Sequence, residues 1–136
     1  MLMYSKTEKE TENAGYELGK TLRGGDIVAL NGDLGTGKTV FTRGIARALG
    51  ISAPIQSPTF TIVREYGGEL RLCHFDLYRV TEAEELYEIG FEDYLDDDTV
   101  AVIEWADMFP EVIPKKAVRV TIGYCPDGRR RIETER

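Results

Sequence analysis

One run of eight residues limits what this chain can fold into more than any other: Gly32-Asp33-Leu34-Gly35-Thr36-Gly37-Lys38-Thr39. It fits G-x-x-x-x-G-K-[ST], the pattern of a phosphate-binding loop. Successive N–H groups in a tight glycine turn form an anion-binding nest. The helix that follows adds its unpaired N–H groups and the positive end of its dipole. In such a loop Gly32 and Gly37 let the backbone approach phosphates closely. Lys38 is placed for the β- and γ-phosphates, and the Thr39 hydroxyl for Mg²⁺.

The pattern carries weight only between a buried strand and a helix. Both are present in the sequence. Ile27-Val28-Ala29-Leu30 is a short apolar run rich in strand formers. Residues 40–49 read as a helix with Phe41, Ile45, Ala48 and Leu49 on one face. The expected fold is therefore α/β and P-loop NTPase-like. It has three layers, a mixed but mostly parallel sheet, helices on both faces and antiparallel hairpins.

At 136 residues the chain is expected to form a single ATPase domain over 1–136. The net charge of −7 and pI near 4.8 argue against direct binding of RNA or DNA, which favours a basic surface. A basic partner fits better. No apolar run is long enough for a membrane span, and the first six residues lack the apolar core of a secretory signal. The expected location is the cytoplasm, with Cys73 and Cys125 as reduced thiols.

Thr7 followed by Glu10 has capping-box spacing, and Thr11, Ala14, Leu18 and Leu22 continue a helix that Gly24-Gly25-Asp26 ends. Residues 59–66 and 69–75 alternate and join through Gly67-Gly68, which predicts a hairpin. Residues 81–98 hold nine acidic side chains and no Lys or Arg. They read as short amphipathic helices whose acidic face is either solvated or a partner-binding patch. Thr99-Val100-Ala101-Val102-Ile103-Glu104 is the strongest buried strand. A turn or short helix at 108–116, a strand at 118–124 and an edge strand at 129–134 follow.

A phosphate loop needs acids at neighbouring strand ends, for metal and for an attacking water. Glu104 ends one strand and Asp76 another, and both are expected at the edge of the sheet where the loop also lies. Thr59 is either a switch-like threonine or a plain turn residue. His74 reads as a hydrogen-bonded core residue or a base, and Trp105 as a cover over the nucleotide or simple packing. The chain has no Asn-Lys-x-Asp, the usual guanine reader, and little room for an arginine-bearing lid. An adenine nucleotide is expected. Three readings stay open: an ATPase, a small-molecule kinase, and a nucleotide-sensing module with negligible turnover.

Several blocks in order resemble the TsaE (YjeE) family, the small ATPases of bacterial tRNA threonylcarbamoyladenosine synthesis. The blocks are Thr7-Glu8-Lys9-Glu10-Thr11, the loop at 32–39, Ser57-Pro58-Thr59-Phe60, His74-Phe75-Asp76-Leu77-Tyr78-Arg79 and Ile103-Glu104-Trp105. The resemblance spans residues 7–105; Thr36 stands where the family usually has alanine. It implies Mg²⁺-dependent ATP binding and hydrolysis, and ATP or ADP as the bound nucleotide. It implies action with TsaB and TsaD to reset or regulate the transferase complex, with tRNA met only through those partners. It also implies site residues. Nucleotide contacts fall to Thr11, residues 32–39, Val40 and Trp105. Thr39, Asp76 and Glu104 serve the metal. Glu104, Thr59 and Asp76 are catalytic, with the division of labour between the two acids left open.

Overall fold

A computed structural model describes residues 1–33, 35–58 and 61–136. Its centre is β2 (Ile27–Asn31), whose Val28, Ala29 and Leu30 have no exposed surface. Burial on both faces is why this strand is a continuous apolar run. Parallel neighbours lie on either side: β5 (Thr99–Glu104) and β6 (Val118–Tyr124). β4 (Arg71–Asp76) is parallel to β5, and β3 (Val63–Tyr66) is antiparallel to β4. On the other side β7 (Arg130–Glu135) and β1 (Leu2–Ser5) are added antiparallel. The sheet order is β1-β7-β6-β2-β5-β4-β3.

Side chains alternate between faces along a strand, and this splits the core in two. Val28, Leu30, Leu72, Val100, Val102, Val120 and Ile122 pack against α1 (Glu8–Gly19) and α2 (Lys38–Ala48). Ile27, Ala29, Phe75, Ala101 and Ile103 pack on the opposite face against Leu86 of α3 (Ala83–Glu88), Phe91, Ala106 and Phe109. Phe75 meets Phe91 edge-on at 4.9 Å between ring centroids. The three-layer expectation is met.

The two helices on the first face touch backbone to backbone. A Cβ on Gly44 would stand 1.9 Å from the Glu12 carbonyl oxygen and 2.7 Å from the Tyr16 nitrogen. Gly44→Ala is therefore expected to lower the unfolding free energy by about 1–3 kcal/mol in urea denaturation, since the helices must part. This loss comes although alanine in a helix gains about 1 kcal/mol of propensity over glycine.

Three expectations need correction. The strand at 129–134 is not the sheet edge, because β1 pairs outside it, with Met3 opposite Ile132. Only four residues long, β1 is joined largely through its backbone, so its side chains carry little pattern. The strand expected at 59–66 begins at Val63, and its first two residues lie outside the described ones. Ile62 has a left-handed φ of 70° and its N–H donates to the Pro58 carbonyl, a turn that ends any extension toward the loop. The first helix closes at Gly19 rather than continuing to Leu22, as the Thr21 hydroxyl and N–H fold back onto the Leu18 carbonyl. Thr7 caps that helix as its spacing predicts, accepting from the Glu10 N–H at 3.1 Å.

The acidic stretch is partly structural. The Glu85 carboxylate accepts from the N–H groups of Thr81 and Glu82 and from the Thr81 hydroxyl, closing the capping box of α3. Asp96 accepts from the Thr99 hydroxyl and pairs with Arg71. These partners hold the carboxyls of Glu85 and Asp96 below the usual range, the first through its backbone donors and the second first through the Thr99 hydroxyl. Neither acid is a simple solvated charge.

Candidate functional site

The loop after β2 turns through glycines with left-handed or otherwise unusual φ, among them Gly32 at 155° and Gly37 at 109°. A side chain at Gly32 would strike the Ile122 carbonyl at 2.5 Å, so the close approach of loop to β6 also demands glycine. Gly37 is the N-cap of α2 and offers no capping side chain. Among the described residues nothing accepts from the first N–H groups of the helix, on Lys38, Thr39 and Val40.

Lys38 is nearly buried, at 6% exposure. Its ammonium donates to the carbonyls of Gly32 and Asp33 and lies 4.0 Å from the centre of the Trp105 ring. Burial pulls its pKa below the ordinary lysine value; Glu104, then Asp76, Asp33 and Asp107, act against that pull. The cation thus sits in a partly desolvated place kept charged by acids around it.

Both acids come from the strand ends. Asp76 and Glu104 are register partners on the parallel pair β4 and β5, and each is 3% exposed. Alternation puts them on the α2 face of the sheet, since Phe75 and Ile103 face the other side. The Asp76 carboxylate accepts from the Tyr78 N–H at 2.9 Å. Glu104 Oε2 is 2.5 Å from Nε2 of His74. The backbone then leaves β5 sharply: Trp105 has a φ of 59°, rare for a bulky residue, and its N–H donates to the Leu30 carbonyl. This turn lays the indole over Lys38 and against the Tyr78 ring, 4.8 Å between centroids. The Asn31 side chain holds the next turn by accepting from the Asp107 N–H.

Two recesses flank the loop. One, of about 290 Å³, is lined by Lys38, Thr39, Val40, Asp76, Glu104 and Trp105, with Glu8, Ser57, Gly35 and Gly37. The other, of about 280 Å³, is lined by Lys6, Thr7, Glu8, Thr11, Val40 and Arg130 with Gly35, Thr36 and Gly37. The expected site residues Thr11, Gly35, Thr36, Gly37, Lys38, Thr39, Val40, Asp76, Glu104 and Trp105 are thus gathered around one loop. Gly32 and Asp33 join them through their carbonyls on Lys38. Leu34 and Thr59 lie outside the described residues. Among the described residues no three His, Cys, Asp or Glu side chains group to hold a metal alone.

Lys6, Glu8, Tyr124 and Arg130 were not legible as site residues. Tyr124 donates its hydroxyl to the Gly35 carbonyl at 2.5 Å, and Arg130 Nε donates to the Thr36 carbonyl at 3.1 Å. The guanidinium stacks 4.3 Å from the Tyr124 ring centre. The β6–β7 hairpin, weakly patterned in sequence, braces the loop from outside. Of the two cysteines, Cys73 is buried in β4 and its thiol is pushed up to about 11 by that burial; both are free thiols. No helix among the described residues is long and apolar enough to cross a membrane.

A glycine loop between a central parallel strand and a helix, facing acids at two neighbouring strand ends, places the chain in the P-loop NTPase-like α/β class. Comparison with known proteins narrows this. The family described as "Threonylcarbamoyl adenosine biosynthesis protein TsaE" matches residues 5–132. The chain is 36% identical over 132 residues to the Treponema pallidum tRNA threonylcarbamoyladenosine biosynthesis protein TsaE, covering 97% of this chain and 98% of that one. It is 41% identical over 109 residues to the Bacillus subtilis TsaE, covering 79% and 68% of the two chains. The crystal structure of YdiB from Bacillus subtilis superposes with a TM-score of 0.83 at 32% identity, over 97% of this chain and 82% of that one. The chain belongs to the TsaE family, which acts in tRNA threonylcarbamoyladenosine biosynthesis.

Proposed function

We propose that this chain binds ATP with Mg²⁺ at the loop 32–39 and hydrolyses it, in support of threonylcarbamoyladenosine formation on tRNA. The observation that carries the reading is the convergence of Lys38, Thr39, Asp76 and Glu104 on one recess. Two nearly buried carboxylates side by side repel each other and call for cations. Lys38 supplies one positive charge. The Thr39 hydroxyl and the Asp76 carboxylate, with Glu104 close by, fit Mg²⁺ as the other. When bound, Mg²⁺ neutralises charge on the phosphate oxygens.

The remaining steps belong to this chain's own groups. Polyphosphate takes the free N–H groups of α2, and Lys38 exchanges the Gly32 and Asp33 carbonyls for phosphate oxygens. The recess lined by Thr11 and Arg130 accepts the nucleoside. Glu104 orients a water toward the γ-phosphorus and draws on its proton. The new P–O bond forms as the bond to the β-bridging oxygen breaks, and ADP and phosphate leave. Asp76, fixed by the Tyr78 N–H, is assigned to the metal side.

The nucleotide cycle is read as a gate that resets a TsaB–TsaD transferase assembly, with tRNA held by those partners. An acidic chain agrees with that division of labour. The test is phosphate release by the pure protein, alone and with TsaB, TsaD and tRNA added. Release that rises with partners is expected. Transfer of the γ-phosphoryl group to a metabolite in a radiolabelled panel would overturn the hydrolytic reading in favour of a kinase.

The loop braces give a further expectation. Tyr124→Phe is expected to weaken ADP binding about 3–10-fold by calorimetry, the value of one hydrogen bond. Arg130→Ala is expected to weaken it more, because Arg130 also lines the second recess.

A further inference from the structure

His74 stands inside β4 with none of its surface exposed. Its neighbours Cys73 and Phe75 face α3, so His74 faces the α2 side with Asp76. Across the parallel pair it is opposite Val102, two residues before Glu104 and on the same face. Its Nε2 is 2.5 Å from Glu104 Oε2. Its Nδ1 is buried, and among the described residues nothing hydrogen-bonds to it. A hydrogen on Nδ1 would be a buried donor with no acceptor, whereas one on Nε2 is donated to the carboxylate. The geometry selects the Nε2–H tautomer.

Glu104 needs such a tether. Lys38 and Glu104 line the same recess, and Glu104 leads the carboxylates that favour the charged lysine. A glutamate side chain has rotamers to spare, and beside an ammonium in a partly desolvated recess it is drawn onto the cation. That collapse would take Lys38 from phosphate and Glu104 from water at once. A donor on Oε2, fixed in a strand of the sheet, holds one rotamer and leaves the second oxygen to the recess.

We propose that His74 is the positioning residue of Glu104, holding one carboxylate oxygen through Nε2–H so that the other stands ready in front of the phosphate loop. The inference rests on the proposed role of Glu104, and its test separates the two. The chain has a single histidine, so its imidazole signals need no assignment. In ¹⁵N-labelled protein without nucleotide, a proton coupled to Nε2 is expected far downfield of the amides, with Nδ1 unprotonated. Glu104→Ala should abolish that resonance. Its absence from the wild type, or its survival in Glu104→Ala, overturns the proposal.

Turnover gives the second arm. His74→Leu is expected to keep ADP affinity within about twofold while kcat falls roughly 10–100-fold, the range seen when a partner that orients an active-site ligand is removed. In His74→Gln, whose amide reaches the place of Nε2, kcat should recover to within about threefold of wild type. Undiminished kcat in His74→Leu, or equal loss in the Gln variant with ADP affinity intact, overturns the positioning role. If the wild type shows the downfield proton yet releases no phosphate, with or without partners, the tether stands and the hydrolytic reading of Glu104 fails. Should His74→Leu not fold, the Gln variant and the resonance decide.

Discussion

Replacing Lys38 with alanine is expected to weaken ATP and ADP binding by about 3–5 kcal/mol, or roughly 100-fold to several thousand-fold. The size follows from what surrounds the lysine. Its ammonium shares a recess with two acids that are each 3% exposed, and Asp33 and Asp107 also act on it. Without it, a polyphosphate must enter a recess whose remaining side-chain charges are negative. The loss is therefore larger than that of one exposed ion pair, which is worth about 0–1 kcal/mol. The backbone N–H groups of α2 survive the substitution, so some affinity remains. Titration calorimetry with ADP and Mg²⁺ measures the change. An affinity within about threefold of wild type would mean that phosphate does not sit at this loop.

Glu104→Ala is expected to separate binding from turnover. The side chain lines the recess of Lys38, Thr39 and Asp76 and is not among the residues of the recess that Thr11 and Arg130 line. Nucleotide affinity should stay close to wild type, or rise as a negative charge is lost. Phosphate release should fall roughly 10²–10⁴-fold, the usual worth of a positioned base. Single-turnover phosphate release by the variant, with partners present, is the direct measurement. Turnover within about twofold of wild type would remove Glu104 from the chemistry. A wild type that binds nucleotide tightly and never releases phosphate would instead favour the sensing module. The two variants have opposite profiles: Lys38→Ala loses affinity first, Glu104→Ala turnover first.

Much of the site was legible because it is locally encoded. The loop pattern, the apolar runs at 27–30 and 99–104, and the acids that follow two strands are read along short stretches. The Thr7 cap and the β3–β4 hairpin are equally local, and both are present. The braces were not legible. Tyr124 and Arg130 reach the loop across 89 and 94 residues, in a hairpin whose alternation says only which side is buried. Lys6 and Glu8 look like ordinary members of a helix start, and their place by the loop depends on how α1 crosses α2. His74 kept two readings in sequence, core residue and base. In the structure it is buried and hydrogen-bonded to Glu104, as the core reading has it.

From the sequence alone came the glycine loop, the strand before it, the helix after it and the acids at two neighbouring strand ends. Each of these is a pattern of side chains, and periodicity records which face of an element is buried. The tertiary structure decided the order of the strands, the addition of β1 outside β7, the tether of Glu104 to His74 and the bracing of the loop by the tail. Sheet order is set by backbone hydrogen bonds between distant segments, and N–H and C=O groups are the same in nearly every residue. A sequence therefore shows that a strand will pair, while its neighbour is chosen by the packing of the whole chain.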